Sequence, residues 1–274
     1  MNPILIHALA AALYVGLALA VWRLHWQEKP MTDTAASTLR LALIVPLALH
    51  GVTLYSDLFS HDELRFGFSQ ALSAMMWLAV GIYWMESFFL RLDALQAFVL
   101  PLAAIAVVLP AVFPGFYARD QGDNFGFRIH LATAMAAYSL FTIAALQASF
   151  MALVEKRLHR ATLRGVLAQV PPLLTLERVL FRMIFAGFIL LTLALVTGVF
   201  FSEEVFGRAL RFDHKTVFAI LSWLIFAGLI LGRWRYGWRG RTALHWILAG
   251  FLSLLLAYVG SRFVLEVILA RPPV

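Results

Sequence analysis

The chain has 274 residues, of which 62% are hydrophobic and 14% are charged, and its mean hydropathy is +0.84. A soluble domain is about half apolar and a quarter charged, so these values exclude an ordinary soluble protein and predict an all-α, polytopic membrane protein. The absence of cysteine excludes disulfides and thiolate metal sites. The net charge of +7 does not indicate nucleic-acid binding, because the basic residues lie in short loops between apolar segments.

Eight apolar segments are long enough to cross a bilayer, which takes about 20 helical residues. In chain order they cover roughly residues 3–22, 39–58, 68–90, 94–113, 127–154, 179–201, 215–234 and 243–268. The division between the third and fourth segments is the weakest, since only Glu86, Arg91 and Asp93 separate them. We treat residues 1–274 as a single transmembrane bundle.

The basic residues predict the orientation of the bundle. The connections after the first, third, fifth and seventh segments hold 14 of the 22 Lys and Arg residues. The positive-inside rule makes that side cytoplasmic and places both termini outside, an N-out/C-out arrangement. In the longest of these connections, residues 158–169 are basic and amphipathic. That pattern fits either a helix on the anionic inner leaflet or a solvated linker.

Of the histidines inside the apolar segments, two are the main candidates for a functional role. His50 is twelve residues into the second segment and His130 opens the fifth, so both fall in the outer half of the bilayer. An ionisable group at this depth is by default a functional hypothesis, and neutral imidazole commonly ligates metals and haem iron. The alternative is a hydrogen bond to a neighbouring helix. Pro46, four residues before His50, predicts a kink that widens the space beside it.

The residues that follow His130 form one helical face. Ala134, Ala137, Tyr138 and Phe141 lie 4, 7, 8 and 11 positions further along. Small residues next to aromatic ones suit the approach of a flat ligand. They equally suit a close helix–helix contact, because small residues also serve transmembrane packing.

The outer connection before the seventh segment ends with Phe212, Asp213 and His214. Asp213 is suited to cap the helix that follows, because its carboxylate can accept backbone N–H groups at the positive end of the helix dipole. The functional alternative places Phe212 and His214 on the rim of an outward-facing pocket. His7, near the outer end of the first segment, fits either a pocket residue or an interfacial anchor.

Residues 130–263 resemble the cytochrome c assembly protein family, the haem-handling membrane proteins of the CcsA and CcmC types. The features that carry the resemblance are His130 with Tyr138 and Phe141, Thr197-Gly198, Phe212-Asp213, Ser222-Trp223, Gly237-Trp238-Arg239-Gly240, and Tyr258 with Gly260. Pro171-Pro172-Leu173 followed by Glu177 and Phe181 resembles the YpjD and HemX-like branch. The family's tryptophan-rich outer motif is not matched, since residues 200–213 keep aromatic residues and Asp213 but contain no tryptophan.

The resemblance implies a multi-pass protein of the bacterial inner (plasma) membrane that binds haem b and assists haem delivery or c-type cytochrome assembly. It implies a carrier or chaperone and not an enzyme, with membrane lipid, haem and cytochrome c maturation or other membrane proteins as partners, and no nucleic acid. Two metal ligands, His50 and His130, would hold the iron. The predicted cofactor-binding set is His50, His130, Tyr138, Phe212, Asp213 and His214. The alternative is a cofactor-free scaffold or regulator that binds a partner membrane protein; a transporter has less support.

Overall fold

The computed structural model describes residues 3–28, 31–58, 66–115, 125–160, 165–206 and 214–269, and it is helical wherever it has regular structure. The helices are α1 Pro3–Trp26, α2 Asp33–Ala42, α3 Ile44–Leu58, α4 Phe68–Glu86, α5 Asp93–Val112, α6 Phe125–His159, α7 Leu173–Phe206, α8 His214–Tyr236, α9 Gly240–Leu255 and α10 Ser261–Phe263. A short 3₁₀ helix, Gly165–Gln169, precedes α7. Two π-helical turns, Leu256–Gly260 and Val264–Ile268, flank α10 and continue α9.

The eight predicted spans are confirmed. Eight helical stretches of the described residues are long and apolar enough to cross a membrane, with α2 and α3 forming the second and α9 to Ile268 the eighth. The turn between α4 and α5 falls where Glu86, Arg91 and Asp93 predicted it. Below, the outer end of the bundle is the end that holds His7 and Thr197, and the cytoplasmic end is the one that holds Glu177 and Arg233, following the predicted orientation.

The predicted interruption of the helix before His50 is present as a break at Leu43, between α2 and α3, in the turn that precedes Pro46. Pro46 has no N–H to donate to the Ala42 carbonyl, whereas the bonds on either side persist, from Leu43 N–H to the Leu39 carbonyl and from Leu47 N–H to the Leu43 carbonyl. A second proline has a comparable effect in α5. Pro101 cannot donate to the carbonyl of Ala97, and the indole N–H of Trp22 donates to that oxygen instead, at 3.2 Å.

Two buried clusters share the interior. The first joins α1, α4 and α5 with part of α6, and the second joins α4 and α6 with α7, α8 and α9. Helix α6 contributes to both, and its most extensive contact is with α7. The amphipathic stretch predicted for residues 158–169 does not form one helix in the described part, since α6 ends at His159. The 3₁₀ helix docks on the chain after α1, where the Gln169 amide bonds both the N–H and the carbonyl of Met31.

Candidate functional site

His50 is completely buried between α1 and α4, on the inward face of α3. Its Nε2 lies 2.9 Å from the hydroxyl of Ser73, and its Nδ1 lies 3.3 Å from the hydroxyl of Tyr14. The Tyr14 ring also meets the imidazole edge to face. Both ring nitrogens therefore have hydrogen-bond partners, as a buried imidazole requires.

A second polar contact joins α1 and α3 nearer the outer end of the bundle. His7 on α1 donates from Nδ1 to the carbonyl of Val107 at 2.6 Å, and its Nε2 lies 3.4 Å from a carboxylate oxygen of Asp57 on α3. His7 precedes Tyr14 by seven residues and Asp57 follows His50 by seven. Because α1 and α3 run antiparallel, this spacing stacks the two contacts about 10 Å apart along the bundle. Sequence analysis left His7 open and missed Asp57.

His130 lies half-buried on the other side of the bundle, against α7. Its Nδ1 is 3.2 Å from the hydroxyl of Thr197. That hydroxyl donates to its own helix at the carbonyl of Leu193, 2.8 Å away. With the Thr197 hydrogen on the backbone, its oxygen can accept from the imidazole, and in the Nδ1–H tautomer that makes this contact Nε2 carries the lone pair. The lack of a side chain at Gly198 admits the ring, since a Cβ there would lie 3.1 Å from Cε1.

The predicted face below His130 is a helix–helix contact. Ala137 and Phe141 are fully buried and Tyr138 is 6% exposed. The Phe141 ring stacks on Phe226 of α8 with ring centres 3.8 Å apart. Of the two alternatives for this face, the structure therefore favours the packing contact, and Tyr138 lies within the second cluster and not against an open pocket.

The predicted outer rim is only partly described. His214 is the first residue of α8, and its side chain is exposed. Phe212 and Asp213 lie outside the described residues, so their predicted roles stay predictions. Phe200, near the end of α7, is 67% exposed.

The structure does not bring His50 and His130 together. In the part of the chain that the structure describes, neither a hydrogen bond nor a ring contact joins the two imidazoles. His50 contacts α1 and α4, whereas His130 contacts α7. Helix α4 packs against both α3 and α6 and separates them. Among the described residues, no three His, Asp or Glu side chains are grouped as a metal site.

A cluster at the cytoplasmic end was not predicted. Glu177, in the second turn of α7, is 7% exposed and accepts from Arg233 of α8 at 2.8 Å. It also accepts three contacts from Arg239, at 2.9 to 3.2 Å, and these raise the pKa of that guanidinium. The carboxylate thus ties α7 to the turn between α8 and α9. The available signal was an acidic residue at the start of an apolar helix, which needs a cationic partner.

These features define a class. Eight apolar helices among the described residues, buried histidines toward one end and an arginine-rich opposite end describe a multi-pass membrane protein of the helix-bundle type. The chain belongs to the cytochrome c assembly protein family, whose family model matches residues 38–269. The match begins well before the core predicted at residues 130–263 and includes His50.

Three relatives show how far the likeness extends. The inner membrane protein YpjD of Escherichia coli strain K12 is 32% identical over 166 residues, 61% of this chain and 62% of YpjD. A 28.8 kDa protein of Azospirillum brasilense is 32% identical over 157 residues, 57% of this chain and 58% of that one. The cytochrome c biogenesis protein CcsA of Prochlorococcus marinus is 36% identical over 88 residues, 32% of this chain and 28% of CcsA. The chain thus covers less than two thirds of each relative. It is a multi-pass inner-membrane protein.

The two predicted iron ligands fit haem unequally. His130 offers a nitrogen lone pair on a ring whose other nitrogen is held by Thr197, the arrangement that orients ligating histidines in proteins. His50 offers no free nitrogen, because coordination would break its contact with Ser73 or with Tyr14. A shared site would also require α4 to leave its place between α3 and α6.

Proposed function

We propose that this protein handles haem b on the outer side of the inner membrane and assists haem delivery or c-type cytochrome assembly. It would act as a non-catalytic carrier or chaperone, with a cytochrome c maturation protein or another membrane protein as its partner. Membership of the cytochrome c assembly family supports this proposal. The relative CcsA carries cytochrome c biogenesis in its name.

The observation that carries the proposal is the hydrogen bond between His130 Nδ1 and the Thr197 hydroxyl, 3.2 Å apart. Here a threonine that already donates its proton to the backbone holds Nδ1–H. Nε2 is then the nitrogen available to iron, and bound haem would supply an iron centre whose reduction potential depends on its axial ligands. His214, at the start of α8, and Phe212 would contact the edge of the macrocycle.

His50 enters the proposal as the second ligand only if its ring is released. Release would take the imidazole from the Ser73 hydroxyl and free one nitrogen. If His50 keeps its present contacts, it stabilises the α1–α3–α4 contact, and the iron takes its second ligand elsewhere.

Absorption spectroscopy of the full-length protein, purified in mild detergent with added haem, tests these assignments. We expect a Soret band that persists through gel filtration and is lost in His130→Ala. Thr197→Val, which cannot hold Nδ1–H, should weaken haem affinity about 10- to 100-fold, while Thr197→Ser should retain it. His245→Ala, an exposed histidine at the cytoplasmic end, is the matched control. A band that is unchanged in His130→Ala would refute the role of His130.

A cofactor-free scaffold is the second candidate, and the packing of α6 favours it. The small and aromatic residues below His130 contact neighbouring helices and not an open pocket. In that case the arginine-rich cytoplasmic end would contact the partner protein. A preparation that binds no haem at any tested concentration, while remaining monodisperse and helical, would favour this function over the first.

A further inference from the structure

A groove at the cytoplasmic end lies between α7 and α8 and combines positive charge with an apolar floor. It spans about 800 Å³, including its open side, and its apolar residues are Phe181, Phe185, Ala186 and Ile189. The charged residues are Arg178 and Arg182 on α7 and Arg233 on α8. The groove is separate from the histidines, which lie toward the other end of the bundle.

The groove keeps an excess of positive charge, because only Arg233 of its three arginines is ion-paired in the described part of the chain. Arg178 and Arg182 are exposed, and neither has an ion-pair partner among the described residues. They are four residues apart and so lie on one face of α7, about 5–6 Å apart at Cβ. Arg233 shares Glu177 with Arg239, so that a single carboxylate faces two guanidinium groups. The region keeps an excess of positive charge next to an apolar surface.

The apolar part of the groove continues toward the middle of the bilayer. Phe185, Ile189, Leu193 and Val196 are all exposed and follow one another at spacings of 4, 4 and 3 residues along α7. This spacing gives one continuous stripe on the helix surface. Its length and position suit an acyl chain that lies along α7 below a headgroup at the arginines.

We propose that this groove binds an anionic phospholipid of the cytoplasmic leaflet. The phosphate would lie between Arg178 and Arg182, which can donate paired N–H groups to its oxygens. An acyl chain would lie on Ala186 and the stripe that continues from Phe185. Basic pockets between helices at this membrane level are suited to such headgroups. Arg233 is held over the Phe181 ring, 4.5 Å from its centre, and closes one side of the groove.

Lipid add-back to the delipidated full-length protein tests the proposal. Binding of phosphatidylglycerol, of phosphatidylcholine with the same acyl chains, and of inorganic phosphate is titrated by native mass spectrometry. We expect phosphatidylglycerol to bind at least tenfold more tightly than phosphatidylcholine. The double variant Arg178→Gln/Arg182→Gln should lose roughly 10- to 30-fold in phosphatidylglycerol affinity. Ala186→Trp, which fills the groove without changing the charge, should weaken binding by a similar factor.

The matched control removes the same charge elsewhere. Arg160→Gln/Arg241→Gln neutralises two exposed arginines at the same end but outside the groove. It should leave phosphatidylglycerol affinity within about threefold of the wild type. Equal losses in the two double variants would show a diffuse electrostatic effect and overturn the proposal. Equal affinity for both lipids, or competition by inorganic phosphate at the affinity of the lipid, would also overturn it.

Discussion

Replacing His50 by leucine separates a structural role from a ligand role. The change removes the partner of two hydroxyl groups, those of Ser73 at 2.9 Å and Tyr14 at 3.3 Å. A buried hydroxyl left without a partner costs about 1–3 kcal/mol. The Tyr14 contact is long and contributes at the low end, so we expect His50→Leu to lower the free energy of unfolding by about 2–4 kcal/mol.

Removing all three polar groups should cost less than removing His50 alone. In the triple variant His50→Leu/Ser73→Ala/Tyr14→Phe no hydroxyl is orphaned, and replacing every partner by an apolar group is close to neutral. We expect its free energy of unfolding to lie within about 1.5 kcal/mol of the wild type. The assay is reversible unfolding in mixed micelles, followed by helical circular dichroism.

Ser139→Ala is the matched control. Ser139 is fully buried, but its hydroxyl donates only to its own helix, at the carbonyl of Met135. Its loss orphans no group on another helix and should cost less than about 1 kcal/mol. If His50→Leu is neutral, or if the triple variant is less stable than His50→Leu, the hydrogen-bond account of His50 is refuted.

Three further predictions concern close contacts. Gly232→Ala should lower the melting temperature in detergent, because a Cβ there collides with the Trp238 ring, and tryptophan fluorescence should report the displaced indole. Gly250→Ala brings a Cβ to 2.9 Å from the Phe226 ring and should cost about 1–3 kcal/mol by chemical unfolding, while adding Phe226→Leu should recover much of it. Glu177→Gln should lower the melting temperature more at low than at high ionic strength, because it leaves two arginines without their carboxylate.

Each of these predictions has a result that contradicts it. Gly232→Ala with unchanged fluorescence and melting temperature would show that the Trp238 ring does not occupy that space. If the stability lost in Gly250→Ala/Phe226→Leu equals the sum of the losses in the two single variants, the two sites are not in contact. A destabilisation of Glu177→Gln that does not change with salt would indicate lost packing and not lost charge pairing.

The sequence predicted the number and position of the spans because hydropathy alone determines them. The turn at Glu86–Asp93 was predictable from three charged residues, although α4 ends sooner than predicted. The break at Leu43 was predictable from Pro46, because a proline without an N–H interrupts the helical bonding in the turn before it.

The partners of the histidines could not be predicted, since they depend on which helices are neighbours. His7 and Tyr14, like His50 and Asp57, are spaced by seven residues, yet this match has meaning only once α1 and α3 are known to lie side by side. His50 and His130 were expected to share a cavity because the sequence indicates their similar depth but not which helices lie next to each other. Helix α4 packs against both α3 and α6, and nothing in its sequence predicts that it lies between the two histidines.

Chemical complementation at residue 130 tests the haem-handling account most directly. His130→Gly removes the imidazole and leaves space against Thr197 and Gly198. With haem and millimolar imidazole added to the purified variant, the account predicts that the wild-type Soret band returns and that N-methylated imidazoles, which cannot donate to Thr197, restore it less well. A variant that binds haem fully without imidazole, or a wild-type protein that binds none, would contradict it.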